Sequence, residues 1–131
     1  MELLNFKEKN FTRESIKDFE MMSERPSHEM IEAIEKFVNW HKKDITSSQL
    51  RRIYAKIKSN KMTSESLPLV RIQLAYTMGR SEGKKRGMKL LLHHLDDMIA
   101  NITPNSPDAK GKISSLQTFL EAIIAFHKYH Q

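Results

Sequence analysis

The chain contains no cysteine, one tryptophan, and only four glycines and four prolines in 131 residues. The lack of cysteine excludes a disulfide framework, a thiolate nucleophile and any zinc site that uses sulfur. The longest uninterrupted apolar run, Ala122 to Phe126, is five residues, far short of the ~20 needed to span a bilayer. The start, Met1-Glu2-Leu3-Leu4-Asn5-Phe6, shows no basic segment followed by a long apolar one, so no export signal is visible. These absences lead us to expect a soluble cytoplasmic protein with no membrane association. We expect one domain over residues 1–131, able to bury about two-thirds of its unfolded surface without staples.

What is present is charge, unevenly placed. The formal net charge is +6, from 22 basic and 16 acidic side chains. Residues 1–40 carry 6 basic and 9 acidic groups, residues 41–90 carry 13 and 3, and residues 91–131 carry 3 and 4. The excess therefore lies wholly in the middle, a +10 segment between two acidic flanks. Charge concentrated in this way suggests a polyanionic partner, nucleic acid first, against the plainer reading of a solvated lysine-rich face.

No segment alternates at period two, whereas several repeat at three and four, so the expected class is all-α: a compact bundle of five to six helices without a sheet. The first helix is expected over about 13–22, with Thr12 as N-cap, a staple of Phe11 and Ile16, and Ile16, Phe19 and Met22 on one face. Arg25-Pro26 ends it, and Ser27 is placed to cap a second helix over about 28–41 with Met30, Ile31, Ile34, Phe37 and Val38 inward. A third begins after Thr46 or Ser47 and runs to about Asn60, with Leu50, Ile53, Tyr54 and Ile57 forming a core stripe opposite Arg51, Arg52, Lys56 and Lys58.

A fourth helix, from near Ser66 to Gly79 with Pro68 in its first turn, is apolar nearly all round, the pattern of a buried central helix. Its polar strip is Gln73, Thr77 and Arg80. Glycines 79, 83 and 87 bracket Lys84-Lys85-Arg86 as a flexible basic turn. The fifth helix, about 87–102, buries Met88, Leu91, Leu92, Leu95, Met98, Ile99 and Ile102. The sixth, about 112–130, buries Ile113, Leu116, Phe119, Leu120, Ile123, Ile124 and His127 or Phe126. Residues 1–44 are expected to form an N-terminal helical appendage to a core over 45–131.

Catalytic chemistry is not indicated, and no cofactor is implied. The glycine spacing matches neither a P-loop nor a dinucleotide fingerprint, and no nucleophile elbow is present. His93-His94 and Asp96-Asp97 are adjacent pairs, which a helix points about 100° apart, the wrong geometry for a shared metal or an acid–base site. His127 and His130 share a face but have no third ligand in sequence, and read as surface or interface residues. Trp40, beside His41-Lys42-Lys43, reads as packing, although an aromatic among cations is also able to stack a base.

The chemistry that remains is phosphate binding. Arg51, Arg52 and Lys56 line one side of a helix anchored by its other side, with a helix N-terminus at Thr46-Ser47-Ser48 just before them. Arg80, Lys84, Lys85, Arg86 and Lys89 add a second patch if the third and fourth helices are antiparallel neighbours. Such groups hold a nucleic-acid backbone without reading sequence, and with steep salt dependence. Two readings of other classes stay open: a small helical DNA-binding regulator, which lacks an evident recognition-helix turn, and a purely structural helical adaptor.

Three blocks carry a family resemblance. Ile45-Thr46-Ser47-Ser48-Gln49-Leu50-Arg51-Arg52-Ile53-Tyr54 resembles the T-T-S-x-L-R-x-x-Y/L opening of the main helix in the small subunit of type III-A CRISPR effector (Csm) complexes. The segment from Leu69 to Arg80 is similar to that family's L-R-x-x-x-x-Y-x-x-G-R, and Leu120 to Tyr129 to its E-A-x-V/I-A-Y-x-K, with Phe126 at a common tyrosine position. The resemblance implies a non-catalytic, all-helical subunit present in several copies along a crRNA-guided complex, beside the crRNA-holding backbone subunits and the large subunit, and contacting target RNA. It makes Arg51 and Arg80 the leading RNA contacts, with Arg71 matching the pattern but equally suited to an ion pair. It also leads us to expect self-association, as a dimer in isolation and a filament in the complex.

Overall fold

The computed structural model describes residues 28–59, 62–80 and 86–131. The helix expected over 13–22, its Thr12 cap and the Ser27 cap lie outside the described residues, as does the side chain of Met30. Among the described residues there are five α-helices and no strand: α1 (His28–His41), α2 (Ser47–Ile57), α3 (Val70–Arg80), α4 (Arg86–Ala100) and α5 (Ala109–Tyr129). A 3-10 turn, Leu67–Leu69, carries Pro68 and leads into α3. The all-α expectation holds. The long α5 is the spine on which α1 and α2 pack; α3 lies against α2 and α4, and α4 returns to α5.

Periodicity explains most of the core. Ile34, Phe37 and Val38 of α1, Leu50, Ile53 and Ile57 of α2, and Leu116, Phe119, Leu120 and Ile123 of α5 are buried together. Every residue assigned inward on the fifth expected helix is also buried, from Met88 to Ile102. Two boundaries moved. α2 stops at Ile57: the Lys58 N–H still donates to the Tyr54 carbonyl at 2.9 Å, but the Ser59 N–H turns to the Lys56 carbonyl at 3.3 Å, tightening the last turn. α5 starts a turn early, at Ala109, where Asp108 stands at the N-cap position and its carboxylate takes bonds from Ser106 and Lys112. Those bonds hold the Asp108 carboxyl below its ordinary range, the Ser106 hydroxyl contributing most.

The fourth expected helix is the main correction. It is not a buried centre: only Val70, Leu74 and Thr77 of α3 are buried, while Leu69, Ile72 and Tyr76 are 61%, 69% and 66% exposed. Thr77, counted on the polar strip, faces inward because its hydroxyl donates to the Gln73 carbonyl at 2.9 Å, so burial leaves that donor satisfied. The centre is occupied by α5, and α3 sits at the side with an apolar strip toward solvent.

Cross-helix bonds fix the directions. Tyr54 reaches Glu121 at 3.0 Å and Gln117 reaches the Ile57 carbonyl at 3.3 Å, so α2 and α5 run antiparallel. Arg71 near the start of α3 meets Asp96 late in α4, so this pair is antiparallel too.

Candidate nucleic-acid interface

The turn between α1 and α2 is where the helices' cationic ends meet. The Gly87 N–H, in the first turn of α4, donates to Asp44 Oδ2 at 3.3 Å, and the same oxygen lies 3.7 Å from His41 Nδ1. Gly87 is pressed onto His41 so closely that a Cβ on it would lie 2.5 Å from the histidine Cβ, which only glycine tolerates. His127 Nε2 sits 3.1 Å from the Lys42 carbonyl and brings the end of α5 to the same place. Arg80 closes α3 six residues before Arg86 opens α4, a link of at most about 20 Å. The C-terminal ends of α1, α3 and α5 and the N-terminal ends of α2 and α4 therefore share one pole of the bundle.

The cations divide by what already holds them. Among the described residues the ion pairs are His41–Asp44, Arg71–Asp96, Lys112–Asp108 and His130–Glu35. None of these takes Arg51, Arg52 or Lys56, all exposed on α2. Arg52 and Lys56 are one turn apart, a like-charge spacing that costs the isolated helix a few tenths of a kcal/mol. Arg80 is exposed with its guanidinium 5.6 Å from the Tyr76 ring centre, and Lys89 is half-buried. Lys84 and Lys85 lie outside the described residues; Arg86 begins α4, and its side chain lies outside them as well. Gly79 lies inside α3 and Gly87 inside α4, so neither belongs to the glycine-spaced turn expected there; residues 81–85 lie outside the described residues.

Two cations have structural work instead. Arg71 holds Asp96 bidentately, Nε to Oδ1 at 2.7 Å and Nη2 to Oδ2 at 3.2 Å, and the hydrogen bond raises its pKa. Lys58 donates to the Tyr54 hydroxyl at 3.0 Å, and that hydroxyl donates to Glu121, a chain joining α2 to α5 that likewise raises the lysine pKa.

Lys42 and Lys43, exposed on the α1–α2 turn, are cations that sequence reading passed over as flanks of Trp40. Their signal was the H-K-K-D string directly after the apolar stripe of α1. Trp40 itself is 58% exposed, so the packing reading fails: it stands off the buried side of α1, defined by Ile34, Phe37, Val38 and His41. The adjacent histidines split as expected, His93 to solvent and His94 into the core. His127 and His130 are occupied at the seam with α1, the latter 3.0 Å from Glu35. Among the described residues no three histidines or carboxylates gather as a metal site.

The arrangement defines a small all-helical protein with a cation-rich pole and an apolar strip on one side. The chain belongs to the Csm2 Type III-A family, whose model matches residues 24–131, and is accordingly a small subunit of the type III-A CRISPR effector complex. The match takes in α1 as well as the three blocks that carry the resemblance. No curated protein and no solved structure matches the chain. Among the described residues no helix is long and apolar enough to cross a membrane.

Proposed function

We propose that this subunit binds the backbone of single-stranded target RNA along the crRNA-guided complex, through the cationic pole, and carries out no catalysis itself. The observation that carries the reading is the set of uncompensated cations Arg51, Arg52, Arg80 and Lys89 near helix ends that converge, with Lys56 extending the exposed cationic side of α2 toward its far end; Lys84, Lys85 and Arg86 belong to the same segment of chain. Cations left without carboxylates on a folded surface are costly to gather, and a polyphosphate partner offsets that repulsion. The strip of Leu69, Ile72 and Tyr76 supplies the second half of the role, a face for packing against copies of the subunit and against the backbone and large subunits. The residues from 1 to 131 act as a single helical unit, as a dimer in isolation and a filament in the complex, in the cytoplasm and in antiviral defence.

The test is RNA affinity across a salt series with an unstructured oligoribonucleotide. Arg51→Ala or Arg80→Ala lowers affinity uniformly across sequences, and each reduces the salt slope by about 0.7 per lost contact. Arg71→Ala, which breaks only the pair with Asp96, leaves the slope unchanged. A folded Arg51→Ala/Arg80→Ala double variant with wild-type affinity and slope removes the assignment. Preference for one duplex DNA sequence over RNA would favour the regulator reading instead.

A further inference from the structure

We propose that Trp40 is a base-stacking contact for single-stranded RNA, with Lys36, Lys42 and Lys43 placed to hold the phosphates on either side of the stacked base. The inference deepens the RNA-binding reading and rests on it, adding a contact to the base where that reading invoked only backbone.

A tryptophan is the side chain that gains most from burial, yet Trp40 is 58% exposed one residue before a histidine that is buried to 6% exposure. Among the described residues its ring has one ring neighbour, His41, at 6.5 Å between centroids. Five positions separate it from Glu35, which meets His130 on α5, so the indole lies about 140° round α1 from that seam. Its surroundings are cationic rather than apolar. Lys36 is exposed one turn earlier on the same strip, and Lys42 and Lys43 follow on the turn. The carboxylate of Asp44 is directed to the Gly87 N–H and to His41, away from these lysines. Glu32 is exposed a turn beyond Lys36 and, among the described residues, forms no ion pair with it.

A protein partner would be expected to meet an extended apolar face, such as that of Leu69, just before α3, with Ile72 and Tyr76 on α3. A lone indole among three lysines and Asn39 has the composition of a nucleic-acid contact: a π-face for any base and charges for its neighbouring phosphates. The site runs from the end of α1 onto the turn that Asp44 pins to the start of α4, so it is continuous with the cationic pole.

Trp40 is the one tryptophan of the chain, so intrinsic fluorescence reports this site alone. The full-length protein is titrated with an unstructured oligoribonucleotide, and binding is followed independently by anisotropy of a dye on the RNA. Inorganic polyphosphate of matched charge is the second probe. Stacking quenches the tryptophan with RNA but not with polyphosphate; Trp40→Ala weakens RNA binding at least about fivefold with an unchanged salt slope, and Trp40→Phe restores most of it. RNA that binds by anisotropy while the emission is unmoved, with Trp40→Ala at wild-type affinity, refutes the stacking contact and leaves the backbone reading standing. Equal quenching by polyphosphate also refutes it, and so does a blue shift that tracks protein concentration without RNA, which places Trp40 in a protein interface. If neither probe binds at all, the RNA-binding reading and the contact fall together.

Discussion

His94 gives the sharpest consequence for stability. Its ring is 2% exposed on α4, 5.0 Å from the Phe119 ring at the centre of the bundle, and burial lowers its pKa from 6.5 to about 3. The charged form is disfavoured in the core and accepted in the unfolded chain, so protons bind preferentially to the unfolded state. Stability from the neutral ring is therefore complete above the unfolded pKa of 6.5 and is lost as pH falls from there toward about 3. The slope approaches 1.4 kcal/mol per pH unit, which makes the loss about 2 kcal/mol at about pH 5. Against a typical total of about 5–15 kcal/mol that is a large fraction. Urea unfolding followed by circular dichroism, at about pH 7 and about pH 5, measures it in the wild type and in His94→Leu. Whatever the variant's absolute stability, the readout is the change between the two pH values, which should be about 2 kcal/mol smaller without the histidine. Equal losses in both proteins would show that the ring is charged inside the fold, and the account of a dry histidine would be wrong.

Two glycines in helices should respond with opposite signs. Gly87→Ala forces a methyl to within 2.5 Å of the His41 Cβ and should cost about 1–3 kcal/mol, whereas Gly79→Ala meets nothing within 4 Å and should stabilise by up to about 1 kcal/mol. Thermal unfolding of each separates them, and two shifts of the same sign would contradict the packing at the α1–α4 contact. Ile72→Lys, on an exposed position of α3, should leave the melting temperature nearly unchanged while lowering self-association in light scattering. Association that survives the change would move the interface off this strip.

Legibility in the sequence followed a simple physical divide. Helices with one apolar stripe were readable, because burial and periodicity then agree: α1 was placed over its observed 28–41, and the core side of α4 residue by residue. α3 was misread because an apolar circumference has no direction, and position in the bundle depends on what else competes for the centre. There α5, with Leu116, Phe119, Leu120 and Ile123 fully buried, takes the place assigned to α3. Ends set by turn chemistry, such as Ser106 and Lys112 on Asp108, were missed by about one turn for the same reason that periodicity says nothing of caps. For the candidate interface, charge density located the right stretch, but which cations are held was a tertiary fact. Arg71 and Lys58 find Asp96 and Tyr54, partners distant in sequence or hidden in the stripe pattern, while Lys42 and Lys43 gain their place only from the contact between Asp44 and Gly87.

The placement of the cations against the helix dipoles separates those the fold favours from those it does not. Arg80 lies in the last turn of α3, where the negative end of the dipole stabilises a positive charge, and Lys42 and Lys43 follow the end of α1 in the same way. Arg86 and Lys89 lie in the first turn of α4, against the positive end, and Arg51 and Arg52 come just past the first turn of α2; neither first turn holds an acid to offset them. Folding alone therefore explains Arg80 and argues mildly against Lys89, whereas a phosphate backbone at the pole favours both. Replacing each by glutamine should lower RNA affinity and the salt slope alike. The urea midpoint should fall slightly for Arg80→Gln, and hold or rise for Lys89→Gln, by a few tenths of a kcal/mol in either direction. If Lys89→Gln instead destabilises the chain and leaves RNA binding untouched, that lysine serves the fold, and the interface ends at α2 and α3.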